Sequence, residues 1–318
     1  MDRKMVSRAK GCLLGQLAGD ALGSLVEFQS PDQIAHEYPA GVRDMADGGQ
    51  WDTIAGQPTD DSELALSLAR LLVDQGAYVA TEAHKAYVVW LSSNPFDCGN
   101  TTSSGLRGRV NHDSQANGAM MRVSPLGIFG AAYDLEKVAK WAKQDAALTH
   151  PNAVCQQANA LFAMAISEAV RSGITAYDLH SQVVVWARDM DVDGSLMDTI
   201  TGATTSPPAD YVRQQGWLLI AFRNALWQLL HAPSLEEAVV DTVMRGGDTD
   251  TNAAICGALV GAVYGDGAVP SRWTDCLLNC RPAAGLDNVR RPRPEVFWPV
   301  DSLKLAEELL ICTSDDQV

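Results

Sequence analysis

The chain has 318 residues, 47% hydrophobic and 20% charged, enough to bury a substantial core and unlike a disordered composition. Its formal net charge of −15 argues against a duplex nucleic-acid partner, and it means that an anionic ligand must be held by helix N-termini, backbone amides or metal ions. No apolar run is long enough to cross a bilayer; the best candidate, Trp217 to Leu230, is interrupted by Arg223, Asn224 and Gln228.

Met1-Asp2-Arg3-Lys4 runs straight into helix-like sequence without a signal-peptide core. The seven cysteines form no CxxC pair, and Cys276 and Cys280, one helical turn apart, read as small core residues. An odd count of cysteines without an export signal points to free thiols and a cytoplasmic protein. Gly11, Gly15, Gly19 and Gly23 then recur every four residues up to Gly19-Asp20, followed by Glu27-Phe28. Thr59-Asp60-Asp61-Ser62-Glu63 precedes an apolar helix over Glu63–Asp74, and a second helix is expected over Glu82–Leu91. After Phe96-Asp97-Cys98-Gly99-Asn100-Thr101-Thr102, Ser103 to Gly108 reads as a loop. Asn117-Gly118 is the one hairpin-like dipeptide with a strand-like neighbour, but Ala119-Met120-Met121-Arg122 reads better as the start of a helix.

Spacings of three and four predict helices over Leu135–Leu148, Ala153–Arg171, Tyr177–Asp189, Tyr211–His231 and Leu235–Met244. Pro151 suits a first helical turn, and Ser234 before Leu235-Glu236-Glu237 is a cap-and-acid pattern. Gly246-Gly247-Asp248-Thr249-Asp250-Thr251-Asn252 precedes a helix over Asn252–Tyr264 carrying Gly257 and Gly261, with Gly265-Asp266 at its end; a last helix covers Ser302–Ile311. The chain therefore reads as one all-α domain over 1–318. Glycines four apart let two helix backbones approach closely, so the two stripes predict a central helix pair that brings its adjacent acidic loops together. Each glycine costs its helix roughly 1 kcal/mol against alanine, which close packing must offset.

The two acidic clusters present oxygen donors of the kind that Mg²⁺ and Ca²⁺ take. Either alone also reads as a helix cap. Two together exceed what capping needs, and successive acids repel unless a cation is present. An EF-hand fails, because Ala253 and Leu259 stand where that loop needs glycine and glutamate. Zinc fits poorly without histidine or cysteine in either cluster. There is no Gly-x-Ser-x-Gly elbow and no phosphate-binding P-loop, and His36, His84, His112, His180 and His231 read as surface or capping residues.

Taken together, Gly19-Asp20-Ala21-Leu22-Gly23 with Glu27-Phe28, Thr59-Asp60-Asp61-Ser62 and Gly246-Gly247-Asp248-Thr249-Asp250-Thr251 resemble the signatures of the ADP-ribosylglycohydrolase family. That family includes dinitrogenase reductase-activating glycohydrolases and the ADP-ribosylarginine and ADP-ribosylserine hydrolases. Phe96 to Thr102 is similar to a segment of the arginine-directed bacterial members, Asn117 to Gly127 resembles the family's ligand loop, and Leu148-Thr149-His150-Pro151 its histidine segment. The likeness runs from about residue 5 to about residue 300; Gln115-Ala116 departs from it.

The resemblance implies a compact orthogonal helical bundle and two Mg²⁺ ions, replaceable by Mn²⁺, on Thr59, Asp60, Asp61, Asp248, Asp250 and Thr251. It implies hydrolysis of the bond between ADP-ribose and a protein side chain, arginine first, with Glu27, Asp61 and Asp97 as catalytic residues. Glu27 would approach the ribose, and Asp97 would meet the guanidinium; a surface acid and a turn residue are their plainer readings. Asn100, Ser114, Asn117, Gly118 and His150 would contact the substrate, with His150 otherwise a helix cap. Implied partners are an ADP-ribosylated protein and the ADP-ribose product, with neither nucleic acid nor membrane. Alternatives are serine-linked or O-acyl ADP-ribose as substrate, or an immunity protein that binds an ADP-ribosyltransferase. No heptad seam points beyond a monomer.

Overall fold

The spacing of apolar residues is realised as fifteen α-helices and no strand among residues 2–312, which are the residues described by the computed structural model. Met1 and 313–318, included in the expected domain, lie outside them. In chain order the helices are α1 (Arg3–Gly23), α2 (Pro31–Glu37), α3 (Asp60–Gln75), α4 (Ala80–Ser92), α5 (Asn100–Leu106), α6 (Ser124–Gly130), α7 (Leu135–Ala147) and α8 (Ala153–Ser172). They continue with α9 (Ala176–Asp189), α10 (Gly194–Gly202), α11 (Leu218–His231), α12 (Leu235–Met244), α13 (Thr249–Tyr264), α14 (Ser271–Asn279) and α15 (Ser302–Ile311). The expected all-α bundle is borne out.

Helices α1 and α13 form the centre. Both are buried on every side over most of their length, from Gly11 to Gly23 and from Thr249 to Ala262, which is why neither shows an amphipathic stripe. The glycine stripes meet backbone to backbone. A Cβ on Gly15 would lie 2.1 Å from Gly257 O, and one on Gly257 would lie 2.0 Å from Gly15 O. Gly11 and Gly261 face each other in the same way, and a Cβ on Gly23 would lie 2.4 Å from Asp250 Cα. The Thr249 hydroxyl, donating to Gly23 O at 2.7 Å, fastens the end of the pair. The end of α1 and the start of α13 are thus held together, as the stripes predict.

Around this pair, α3, α8 and α15 pack against α1, while α11, α12 and α8 pack against α13. One apolar cluster runs from Ala9 to Leu310. Two ion pairs are sealed inside it: Glu63 with Arg293 and Arg122 with Asp145. No helix among the described residues is long and apolar enough to cross a membrane.

Several boundaries differ from the sequence reading. Helices α3 and α13 begin earlier, so their acids lie at the N-cap and in the first turn rather than ahead of the helix. The expected helix from Tyr211 starts only at Leu218, because Gly216 takes a left-handed φ of +78° and the chain before it pairs with another loop: Asn117 N–H donates to Gly216 O (3.0 Å), and Leu218 N–H to Gln115 O (2.9 Å). Asn152 caps α8 by accepting Val154 N–H, which leaves Pro151 outside the first turn. The segment read as a loop, Ser103 to Gly108, is helical as far as Leu106. His180 is neither on the surface nor a cap: it is buried, with Nε2 2.9 Å from Ile200 O.

Candidate functional site

The acidic N-termini of α3 and α13 open onto one cleft of about 460 Å³, a volume suited to a nucleotide-sized ligand. Of the residues singled out from sequence, Glu27, Asp60, Asp97, Asn100, Asn117, Gly118, His150, Asp248, Asp250 and Thr251 line it. Thr59 and Asp61 are fully buried and do not line it. The Thr59 hydroxyl lies 2.9 Å from Asp20 Oδ1 and 3.0 Å from Asp61 Oδ2, and Asp61 Oδ1 is buried without a hydrogen-bond partner. Ser114 stands outside the cleft, its hydroxyl 2.9 Å from that of Thr101.

Local chain chemistry fixes each acid. Asp20, near the end of α1, accepts Thr59 N–H (3.0 Å) and Ser62 N–H (3.1 Å), so it caps α3 from another helix. Asp60 Oδ2 accepts Gly99 N–H (3.1 Å), tying the Asp97 loop to α3. Asn117 Nδ2 donates to Asp248 Oδ2 (2.7 Å), and Trp51 Nε1 donates to Glu27 Oε2 (2.7 Å). Gly247 makes the turn into α13 at a φ of +76°, where a Cβ would lie 2.1 Å from Tyr211 O. Phe28, beside Glu27, also has a positive φ of 67° and donates its N–H to Gly247 O.

These carboxylates repel one another in a dry place. Burial, then Asp248, raises Glu27 to about 8, and burial, despite the Gly99 bond, raises Asp60 to about 7. Burial and Asp60 raise Asp97 to about 10, and burial raises Asp20 to about 6. Asp61 and Asp250 are pushed well above the usual range by burial and by Asp60 and Glu27 respectively. No lysine or arginine lines the cleft among the described residues. Glu27, Asp248 and Asp250 offer oxygens within 4.8 Å of one another. An all-oxygen donor set, uncompensated negative charge and a partnerless Asp61 oxygen fit a hard divalent cation.

Sequence reasoning assigned no role to Asp20, Trp51, Phe28, Gln215 or Gly216. Asp20 carried a signal, since it closes the first glycine stripe beside the acids that the stripe brings in. Trp51, Gln215 and Gly216 reach the cleft only through long-range loop pairing and carry none.

A family model described as ADP-ribosylglycohydrolase matches residues 1–310. The chain is 29% identical to the ADP-ribosyl-[dinitrogen reductase] glycohydrolase of Rhodospirillum rubrum, over 85% of this chain and 90% of that one. It is 29% identical to an ADP-ribosylarginine hydrolase of Pseudomonas putida, over 96% of this chain and 78% of that one. A solved structure titled as an ADP-ribosylglycohydrolase-related protein complex superimposes with a TM-score of 0.80 at 26% identity, covering 98% of this chain and 100% of that one.

Proposed function

Because the chain belongs to the ADP-ribosylglycohydrolase family, we propose that it hydrolyses the N-glycosidic bond between ADP-ribose and arginine side chains of modified proteins, with Mg²⁺. The observation that carries this reading is the convergence of Glu27, Asp60, Asp97, Asp248 and Asp250 on one cleft with no lysine or arginine among its described lining residues. Two Mg²⁺ ions, or Mn²⁺ in their place, held by Thr59, Asp60, Asp61, Asp248, Asp250 and Thr251, would fix ribose hydroxyls and orient a water. Asp61, being sealed behind the cleft, acts on the metal and not on the sugar.

The remaining chemistry belongs to the side chains. As the ribosyl bond to nitrogen breaks, positive charge grows on the sugar, and the surrounding carboxylates favour that oxocarbenium-like state. Glu27, oriented by Trp51, faces the ribose. Asp97, held up near 10 by burial and Asp60, becomes the carboxylate partner of the guanidinium once bound cations and that permanent, planar positive charge offset its acidic neighbours. The Gly118 backbone amide takes the place of a basic patch for the diphosphate, the Asn117 N–H being held by Gly216 O. The apolar core running from Ala9 to Leu310 supports a single domain over 1–318.

The test is release of free ADP-ribose from arginine-, serine- and O-acyl-linked substrates, with Mg²⁺ and with excess chelator. Arginine-linked substrate should be cleaved fastest and only with the metal. Asp97→Ala should slow that release roughly 30- to 1000-fold, equivalent to about 2–4 kcal/mol. Preferred cleavage of the serine linkage would transfer the specificity to the alternative substrate, and full turnover in chelator would sink the metal.

A further inference from the structure

Part of the cleft wall is the end of a buried chain of polar groups. Asp145, at the end of α7, has no exposure; its Oδ2 accepts Arg122 Nε (3.0 Å), its Oδ1 accepts the Tyr87 hydroxyl (2.8 Å) and its backbone oxygen accepts Arg122 Nη2 (2.9 Å). Arg122 Nη1 donates to Thr149 Oγ1 at 3.0 Å, and Thr149 Oγ1 lies 2.7 Å from His150 Nδ1. At the other side of the ring, His150 Nε2 is buried without a partner. Thr102 Oγ1 is buried and partnerless as well. Both atoms face Gly118: a Cβ there would lie 2.7 Å from Thr102 Oγ1 and 3.2 Å from His150 Nε2.

The protons can be placed by counting donors. A guanidinium only donates, so the Thr149 oxygen accepts from Arg122. The hydroxyl hydrogen then has His150 Nδ1 as its acceptor, and the ring proton sits on Nε2. The other tautomer leaves the hydroxyl hydrogen without an acceptor in a dry site. Burial, with the charge of Arg122, pushes His150 down to about 3, so the ring is neutral near pH 7.

We propose that Thr149 and Arg122 are positioning residues that lock His150 with Nδ1 as acceptor, so that the cleft carries a fixed, uncharged Nε2–H donor beside Thr102 for a ligand oxygen. Under the proposed function, on which this last step rests, that oxygen is a ribose hydroxyl or phosphate oxygen of ADP-ribose. Gly118 is then required because any side chain would fill the space in which the oxygen meets the two groups.

The experiment is ¹⁵N NMR of the histidine rings in the full chain, with His150→Asn used to assign the His150 signals. Wild type should show Nε2 protonated and Nδ1 shifted by an accepted hydrogen bond. Thr149→Val, nearly isosteric, should abolish that Nδ1 shift and weaken ADP-ribose about tenfold by calorimetry, and Thr149→Ser should restore both. A proton on Nδ1 in wild type overturns the proposal, whether or not the variants fold. So does Thr149→Val with unchanged ring signals and affinity. If the rings behave as expected but wild type does not bind ADP-ribose, the relay stands and the functional reading falls.

Discussion

At Gly118 a single Cβ decides whether the cleft stays open, because it would press on Thr102 and His150. Gly118→Val should weaken ADP-ribose at least about tenfold while divalent-cation binding persists, since Asp60, Asp248 and Asp250 are untouched. Calorimetric titration of both ligands checks this, and an unchanged ADP-ribose affinity would show that the loop lies away from the ligand. Asp60→Asn keeps the shape that Gly99 N–H bonds to but removes charge, so turnover should fall by about 10²-fold or more with far-UV helicity unchanged. Residues of this kind were legible because chemistry concentrates them in short motifs. Asp20 shows in the sequence only as the close of a glycine stripe, and Trp51 not at all, because each acts on a partner that folding alone brings near: Thr59 is 39 residues from Asp20, and Glu27 is 24 from Trp51.

Among the elements, the α1–α13 pair makes the sharpest demand. Gly257→Ala should gain about 1 kcal/mol of helix propensity, yet its Cβ would stand 2.0 Å from Gly15 O, so a net loss of about 2–4 kcal/mol is expected. Gly194→Ala, with nothing within 4 Å of its Cβ, should instead leave stability unchanged or slightly raised. Urea unfolding of the two variants side by side measures the contrast, and equal midpoints would mean that the helices can separate at little cost. The four-residue glycine period made this pair readable from sequence. Seven-residue helices such as α2, α5 and α6 escaped, since two turns are too few for a 3.6-residue period to emerge. The start of α11 was misread because apolar residues on either side of Gly216 continue the period through a backbone that cannot.

For the whole molecule, the gathered acids set how stability responds to pH. Asp20, Asp60 and Glu27 titrate in the folded chain near 6, 7 and 8, above the carboxylate range near 4 of an unfolded chain. Their stabilising protonation is fully present below about pH 4 and is lost as pH rises through about 6 to 8. Above about pH 6.5, His150, lowered by burial, is neutral in both states and contributes no slope. In chelator, melting temperature should therefore fall between pH 6.5 and 8. Saturating Mg²⁺ should flatten the slope and raise the curve, by about 2.7 kcal/mol at a hundred times its Kd. A flat curve in chelator would show that these carboxylates are compensated by something other than the cation. The Thr249–Gly23 hydrogen bond spans 226 residues, so the cleft is assembled by contacts between distant parts of the chain. Contacts of such span carry a large loop-closure cost, and they are expected to form after the folding transition state. The cation should then act as a brake on one direction only, slowing unfolding in denaturant jumps while the refolding limb of the chevron stays where it is.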